Sequence, residues 1–470
     1  MRYAFKFRLT TLQCIIYIVI SLCIHKINST TVTPTVYLNN TALDDGPSHD
    51  AVSGDYSLSP TNGFANISVE EEPNCAEDAK NNKKLPYDKM EILEYIRYAG
   101  YPAEEFKVTT EDGYILTIHR ISGSPLSPPA PGKVPVLLWH GVMGNSWNWL
   151  LLGNESLAFL LADEGYDVYL GNSRGNHFSM EHEDVNDNSE KYWDFSFHEM
   201  GFYDLPNTVD KILLLTTARD LYFIGHSLGS RMYSVMVTMR PHTAKIRTGF
   251  LLAPAAFMSH VQNPTLKTLL LGQPDQYKAL GPKIDPKGGT IKETFHVSCP
   301  NGTYNCDGSC EYLIFLLFGP ISQSDASLRK FFARRYPSTT STKVLRHCSQ
   351  LFTAGDLFRR FDYESKEENK KKYGDEKPPQ YDLGNVTTPT VFFWGYGDSV
   401  IVPEDVKKMA TEWNSNSLRE NNRVTLEHFG HLDFVIANNA KELVYDRIIW
   451  LMKNNKYDDE DTPGPSLLYN

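Results

Sequence analysis

Two stretches of the chain set a serine between glycines, Gly171-Asn-Ser173-Arg-Gly175 and Gly225-His-Ser227-Leu-Gly229. A serine hydroxyl attacks a carbonyl carbon well only when a neighbouring base takes its proton. The Gly-x-Ser-x-Gly motif serves that chemistry as a sharp strand-to-helix turn that lifts the hydroxyl above a sheet. Such a turn needs a strand directly before the serine and a helix directly after it. Ser227 has both: Leu221-Tyr-Phe-Ile224 reads as a strand, and Ser227 to Thr238 as a helix with small residues in its first turn. Ser173 has the strand, but polar residues from Asn176 to Asn188 follow it. Ser227 is therefore the candidate nucleophile, and Gly171–Gly175 a tight structural turn.

A serine in this setting is followed along the chain by its acid and then by its histidine. Of the 14 histidines, only His428 and His431 lie beyond a credible acid turn, Trp394-Gly-Tyr-Gly-Asp398. Asp398 follows a buried strand and precedes a helix starting at Pro403, so it is the candidate acid. Glu404 and Asp405 are explained as favourable charges in the first turn of that helix. His431 follows Gly430 in the turn between the last strand and the last helix, and is the candidate base. His428 belongs to the strand itself and is expected to be a hydrogen-bonded structural histidine, while Asp433 is expected to cap the last helix. The oxyanion of a tetrahedral intermediate needs donors, and the backbone N–H groups of Leu228 and Val142 are placed to supply them. His140 comes too early in the chain to be the base.

Those residues need a frame. A hairpin pairs Phe106–Thr110 with Tyr114–His119 through Asp112-Gly113. Strands at Val134–Trp139, Tyr166–Leu170, Leu221–Ile224 and Arg247–Leu252 then alternate with helices at Ser156–Glu164, Leu205–Ala218 and Ser227–Thr238. Short apolar strands separated by helices indicate an α/β fold with a mostly parallel sheet flanked by helices. The alternation stops at residue 257 and resumes at 387, with strands Pro389–Trp394 and Val424–Phe429 and helices Pro403–Trp413 and Asp433–Lys453. A segment this long is not a structureless loop. It is expected to form an inserted cap, 257–386, between the two parts of the core, 85–256 and 387–456. Within it, Thr268-Leu-Leu-Leu271 and Leu313–Phe318 are apolar, and the charge run Lys366–Lys377 reads as a solvated loop.

Basic residues Arg2, Lys6 and Arg8 precede an apolar run from Leu9 to Ile24, which fits a signal peptide of residues 1–29 and leaves no stable membrane span once removed. Residues 30–84 are rich in Thr, Ser, Asn, Asp and Pro and read as a disordered arm, and 457–470 as a mobile acidic tail. Secretory passage gives meaning to the sequons at Asn39, Asn66, Asn154, Asn301 and Asn385, and points to a secreted or lysosomal protein. It also leaves five of the 7 cysteines, Cys75, Cys299, Cys306, Cys310 and Cys348, of which three fall close enough together for a local bridge. The net charge of −11 provides no footprint for nucleic acid. No His-Glu-x-x-His or paired-cysteine motif occurs, and neither a metal nor a cofactor is expected.

Many fragments resemble the acid lipase family, which includes gastric and lysosomal acid lipases and insect relatives. They run in order over about residues 88 to 455: Tyr101-Pro-Ala-Glu-Glu-Phe, Thr110-Glu-Asp-Gly-Tyr, His140-Gly, Ser156-Leu-Ala-Phe, Tyr166-Asp-Val-Tyr-Leu-Gly-Asn-Ser-Arg-Gly-Asn, Asp194-Phe-Ser-Phe-His-Glu-Met, Tyr203-Asp-Leu-Pro and His431-Leu-Asp-Phe. The resemblance implies an α/β-hydrolase fold with an inserted cap and cofactor-free hydrolysis of neutral lipid esters, acylglycerols or sterol esters, at a lipid–water interface. It carries the nucleophile, acid and base to Ser227, Asp398 and His431, and the oxyanion donors to Val142 and Leu228. It favours a bridge between Cys299 and Cys310, with Cys299–Cys306 the alternative. The chain departs from the family where Leu228 replaces the usual glutamine, where Phe318-Gly-Pro replaces Cys-Gly-Phe-Asp, and where Cys348 follows His347 in place of tryptophan. A carboxylesterase with another acyl substrate shares all these residues. A non-catalytic lipid-binding protein on the same fold predicts a damaged triad, which this chain does not have.

Overall fold

Apolar runs too short for a buried helix become the strands of one sheet. The computed structural model describes residues 89–240, 242–286, 314, 316–319, 321 and 323–454. The signal segment, the arm, the tail, Asn39, Asn66, Asn301, Cys75, Cys299, Cys306 and Cys310 lie outside the described residues. The sheet is nine-stranded: β1 (Glu104–Thr109), β2 (Tyr114–Ile121), β3 (Pro135–Trp139), β4 (Asp167–Leu170), β5 (Glu181–His182), β6 (Leu221–His226), β7 (Ile246–Leu252), β8 (Thr390–Trp394) and β9 (Leu418–Arg423). Their spatial order is β1-β2-β4-β3-β6-β7-β8-β9, with β5 beside β2. The β1–β2 hairpin and the β2–β4 pair are antiparallel; from β4 to β9 the sheet is parallel. Every residue of β3, β4 and β6 is buried, as a parallel sheet covered on both faces requires.

The core helices are α1 (Leu157–Asp163), α2 (Leu205–Thr216), α3 (Leu228–Met239), α7 (Pro403–Glu412) and α8 (Asp446–Lys453), and the insertion carries α4 (Ala326–Arg335), α5 (Thr342–Thr353) and α6 (Lys366–Tyr373). Between β7 and β8 the chain also forms two shorter helices, Pro264–Leu270 and Pro274–Ala279, and a small antiparallel pair, Lys283–Ile284 with Thr340–Ser341.

Four expectations are corrected. The last strand is Leu418–Arg423 rather than Val424–Phe429. Among the described residues it pairs only with β8, at the sheet's edge, and its polar sequence Leu-Arg-Glu-Asn-Asn-Arg carries no buried face for a pattern to reveal. His428 consequently sits exposed in a turn and is not a buried structural histidine. The run Lys366–Lys377 is not all loop: Lys366–Tyr373 is helical, capped by Ser365, with Glu367 and Glu368 in its first turn and Lys370 to Lys372 in its last. That order of charges complements the helix dipole. Finally, the helix expected from Asp433 to Lys453 is broken into Asp433–Ile436, a π-helical turn at Lys441–Tyr445, and α8.

Candidate active site

Strand β6 ends at His226 and α3 begins at Leu228, so the whole change of direction falls on Ser227. Its backbone has φ 52° and ψ −111°, a strained conformation for a residue with a side chain. Close packing holds it there. The Ser227 N–H donates to the Leu252 carbonyl at 2.9 Å, and α3 presses against β3 at Gly229, where a Cβ would lie 2.5 Å from the Trp139 carbonyl oxygen. Only glycine fits that approach.

The elbow meets two loops that follow the parallel strands β8 and β9. His431 Nε2 lies 2.8 Å from Ser227 Oγ, and His431 Nδ1 lies 2.8 Å from Asp398 Oδ2. All three residues are buried. The second carboxylate oxygen, Oδ1, accepts the Val400 and Ile401 N–H groups at 2.8 Å each, which fixes the plane of the acid. With Nδ1–H donated to Asp398, the lone pair of Nε2 faces the serine hydroxyl, the tautomer a general base needs. Gly395 and Gly397 let the acid turn lie against the base loop: Cβ atoms there would meet the Phe429 oxygen at 2.1 Å and the His428 carbonyl carbon at 2.7 Å.

Two further side chains hold the base loop, and the sequence reading assigned neither role. The His226 Nε2–H donates to the main-chain oxygen of His431 at 2.9 Å. Burial pushes the His226 imidazole down to about 3, with the nearby His431 adding to the effect, so it stays neutral. Asp433 Oδ2 accepts the Gly430 N–H at 2.7 Å instead of capping a helix as expected. Its carboxyl is pushed up to about 6, first by burial and then by the neighbouring Asp398 charge. The position of Asp433 beside His431 was the only signal available.

The loop after β3 completes the site. His140 Nδ1 donates to the Gly141 carbonyl at 2.7 Å, and the Gly144 N–H donates to the same oxygen at 3.0 Å. A trans peptide points its C=O and N–H in opposite directions, so anchoring Gly141 O fixes the direction of the Val142 N–H. Among the described residues, neither that N–H nor the Leu228 N–H is taken up by a protein acceptor. His140 Nε2 in turn accepts the Ser173 N–H at 3.1 Å. Burial pushes this imidazole down to about 4. Ser173 is buried and its Oγ accepts the Trp139 indole N–H at 2.8 Å, so the second Gly-x-Ser-x-Gly braces the loop. From the insertion, the Phe318 ring lies parallel to His431 at 6.2 Å between centroids, and Tyr336 lies edge-on to Phe318 at 5.7 Å.

Away from this site, His260, Asp356 and Asp405 hold potential ligand atoms within 4.8 Å of one another. Asp405 accepts the His260 backbone N–H at 3.1 Å and its Nδ1–H at 2.8 Å, Asp356 lies 4.0 Å from the same Nδ1, and the bond to Asp405 raises the imidazole above its ordinary value. Cys348 is a buried free thiol whose Sγ accepts from Arg231 Nη1 at 2.9 Å. Asn154 and Asn385, the described sequons, are both exposed.

Residues 92–153 match the family model for the partial alpha/beta-hydrolase lipase region, and residues 134–437 match that for the alpha/beta hydrolase fold. Lipase member M of Mus musculus is 35% identical over 371 residues, covering 77% of this chain and 86% of that protein. Lipase 3 of Drosophila melanogaster is 34% identical over 375 residues, covering 77% and 92%. Gastric triacylglycerol lipase of Rattus norvegicus is 34% identical over 377 residues, covering 78% and 92%.

Proposed function

The chain belongs to the alpha/beta-hydrolase lipase family, and from that premise we propose that it hydrolyses neutral lipid esters, acylglycerols or sterol esters, through an acyl-enzyme on Ser227. The observation that carries the reading is the continuous line Ser227 Oγ, His431 Nε2, His431 Nδ1, Asp398 Oδ2, with 2.8 Å at each link between residues. His431 takes the hydroxyl proton as Ser227 attacks the ester carbonyl. The Val142 and Leu228 N–H groups stabilise the oxyanion of the tetrahedral intermediate. The protonated imidazole then gives its proton to the leaving alcohol, and an acyl-serine remains. Water, deprotonated by the same His431, releases the fatty acid and restores the serine. Asp398 stabilises the imidazolium at both stages.

The lipid preference is supported by the named relatives and by Phe318 of the insertion, whose ring lies against His431. Among the described residues no helix is long and apolar enough to cross a membrane. The leader-like N-terminus and exposed sequons support a secreted or lysosomal glycoprotein, with the insertion bridged at Cys299–Cys310 or Cys299–Cys306. The test is hydrolysis of emulsified long-chain triacylglycerol against dissolved short-chain esters from pH 4 to 8. The emulsion is expected to be preferred; hydrolysis of dissolved esters alone would replace this reading with a carboxylesterase.

A further inference from the structure

The oxyanion loop is built by two parts of the chain. The first of its carbonyls, Gly141, is anchored within the core by His140 and Gly144. The next two are anchored from the insertion. Tyr336 Oη–H donates to the Val142 carbonyl at 3.0 Å, and the Ser338 N–H donates to the Met143 carbonyl at 2.7 Å. Asn145 Nδ2 completes the seam by donating to the Arg335 carbonyl at 3.0 Å. Beyond it, Ser338 Oγ accepts the His177 N–H at 3.1 Å. The loop needs this support, because Met143 adopts φ 54°, unfavourable for a side chain with a Cβ.

We propose that Tyr336 is a positioning residue for the oxyanion hole: by anchoring the peptide that follows Val142 it holds that residue's Cα in place, while the Gly141 carbonyl sets the plane that carries the Val142 N–H. This rests on the hydrolase reading above and adds to it a residue from the insertion. The Tyr336 ring is itself fixed: it stacks on Phe332 at 4.8 Å, and it meets Phe318, whose other neighbour is His431. One aromatic row thus touches both halves of the catalytic apparatus, the base and the oxyanion loop. The loop that carries one oxyanion donor is braced by residues 335–338. Docking of that segment and stabilisation of the transition state are therefore coupled.

Tyr336→Phe removes only the hydroxyl. With a dissolved short-chain ester, kcat is expected to fall about 10-fold, less than the loss of an oxyanion donor itself, while KM stays within about two-fold, since uniform binding is untouched. Affinity for an alkylboronic acid, which forms a tetrahedral adduct on serine, should fall by the same factor as kcat/KM. Tyr336→4-aminophenylalanine keeps an N–H donor in place and should restore both, with thermal unfolding recorded for each variant. Should the phenylalanine variant fail to fold, wild-type kcat and boronate affinity in the amine variant, together with their loss in Tyr336→His, decide the question. Unchanged kcat on losing the hydroxyl, a change confined to KM, or failure of the amine to rescue would overturn the proposal. Wild-type hydrolysis that disappears in Ser227→Ala leaves the hydrolase reading standing whatever Tyr336 does.

Discussion

Two serines share one motif and differ in what surrounds their hydroxyls. Ser227 Oγ faces an imidazole at 2.8 Å, whereas Ser173 Oγ faces the indole N–H of Trp139. Ser227→Ala is expected to abolish turnover with the fold intact. Ser173→Ala strands a buried indole N–H, which costs about 1–3 kcal/mol, so it should lower the urea midpoint while leaving kcat per folded molecule close to wild type. His431→Ala should reduce kcat by several orders of magnitude, and His428→Ala, at an exposed turn, should leave it near wild type; equal rates would refute the choice of base. The nucleophile, acid and base were legible because chain order, glycines and neighbouring strands constrain them tightly. His226, Asp433 and Tyr336 were not. Each acts through a main-chain group distant in sequence or set by loop conformation, and neither residue type nor spacing records such a partner.

At the scale of elements, apolar strands and the helices between them were legible from their periods, and β9 was not. An edge strand is held by main-chain pairing, so six residues as polar as Leu418–Arg423 satisfy it without a hydrophobic signal. The misplacement moved His428 from strand to turn but left His431 in its turn, so the site survived the error. The same region shows how closely elements must pass for the triad to meet. A methyl group at Gly395 would lie 2.1 Å from the Phe429 oxygen, a backbone atom fixed by the base loop. Gly395→Ala should therefore separate acid turn from base loop, costing about 1–3 kcal/mol of stability by overpacking and most of kcat; wild-type kcat in a folded variant would show that the turns have slack. For the insertion, replacing Leu313–Phe318 by a short linker removes Phe318 from above His431 while sparing the triad. Emulsion activity should fall further than short-ester activity, and equal losses would deny that segment a part in acyl binding.

The whole molecule commits several imidazoles to its interior in the neutral form. Burial pushes His140 and His198 down to about 4 and His226 down to about 3. An unfolded chain binds protons at these residues below about pH 6.5, and the folded one refuses them until the lower values. Their contribution is complete above 6.5 and is lost as pH falls from there towards 4, at about 1.4 kcal/mol per pH unit for each. Asp433 works in the opposite sense, because its raised carboxyl is relieved as pH drops through about 6. Burial also pushes His119 down to about 3 and His347 well below its ordinary value, and it raises Asp204 and Asp405 as it does Asp433. Five imidazoles outweigh three carboxyls, so the urea midpoint should be clearly lower at pH 5 than at pH 7.5; a midpoint that rises on acidification would mean these histidines are not buried neutral. All these groups serve one arrangement, a strained serine served by a base loop, an acid turn and an oxyanion loop shared with the insertion. The most direct measurement is covalent. An alkyl fluorophosphonate should inactivate the enzyme at one equivalent, and peptide mapping should find the adduct on Ser227, with none on Ser173 and none after His431→Ala. Inactivation with the adduct on another residue, or full hydrolysis by an enzyme that takes up no label, would contradict the account.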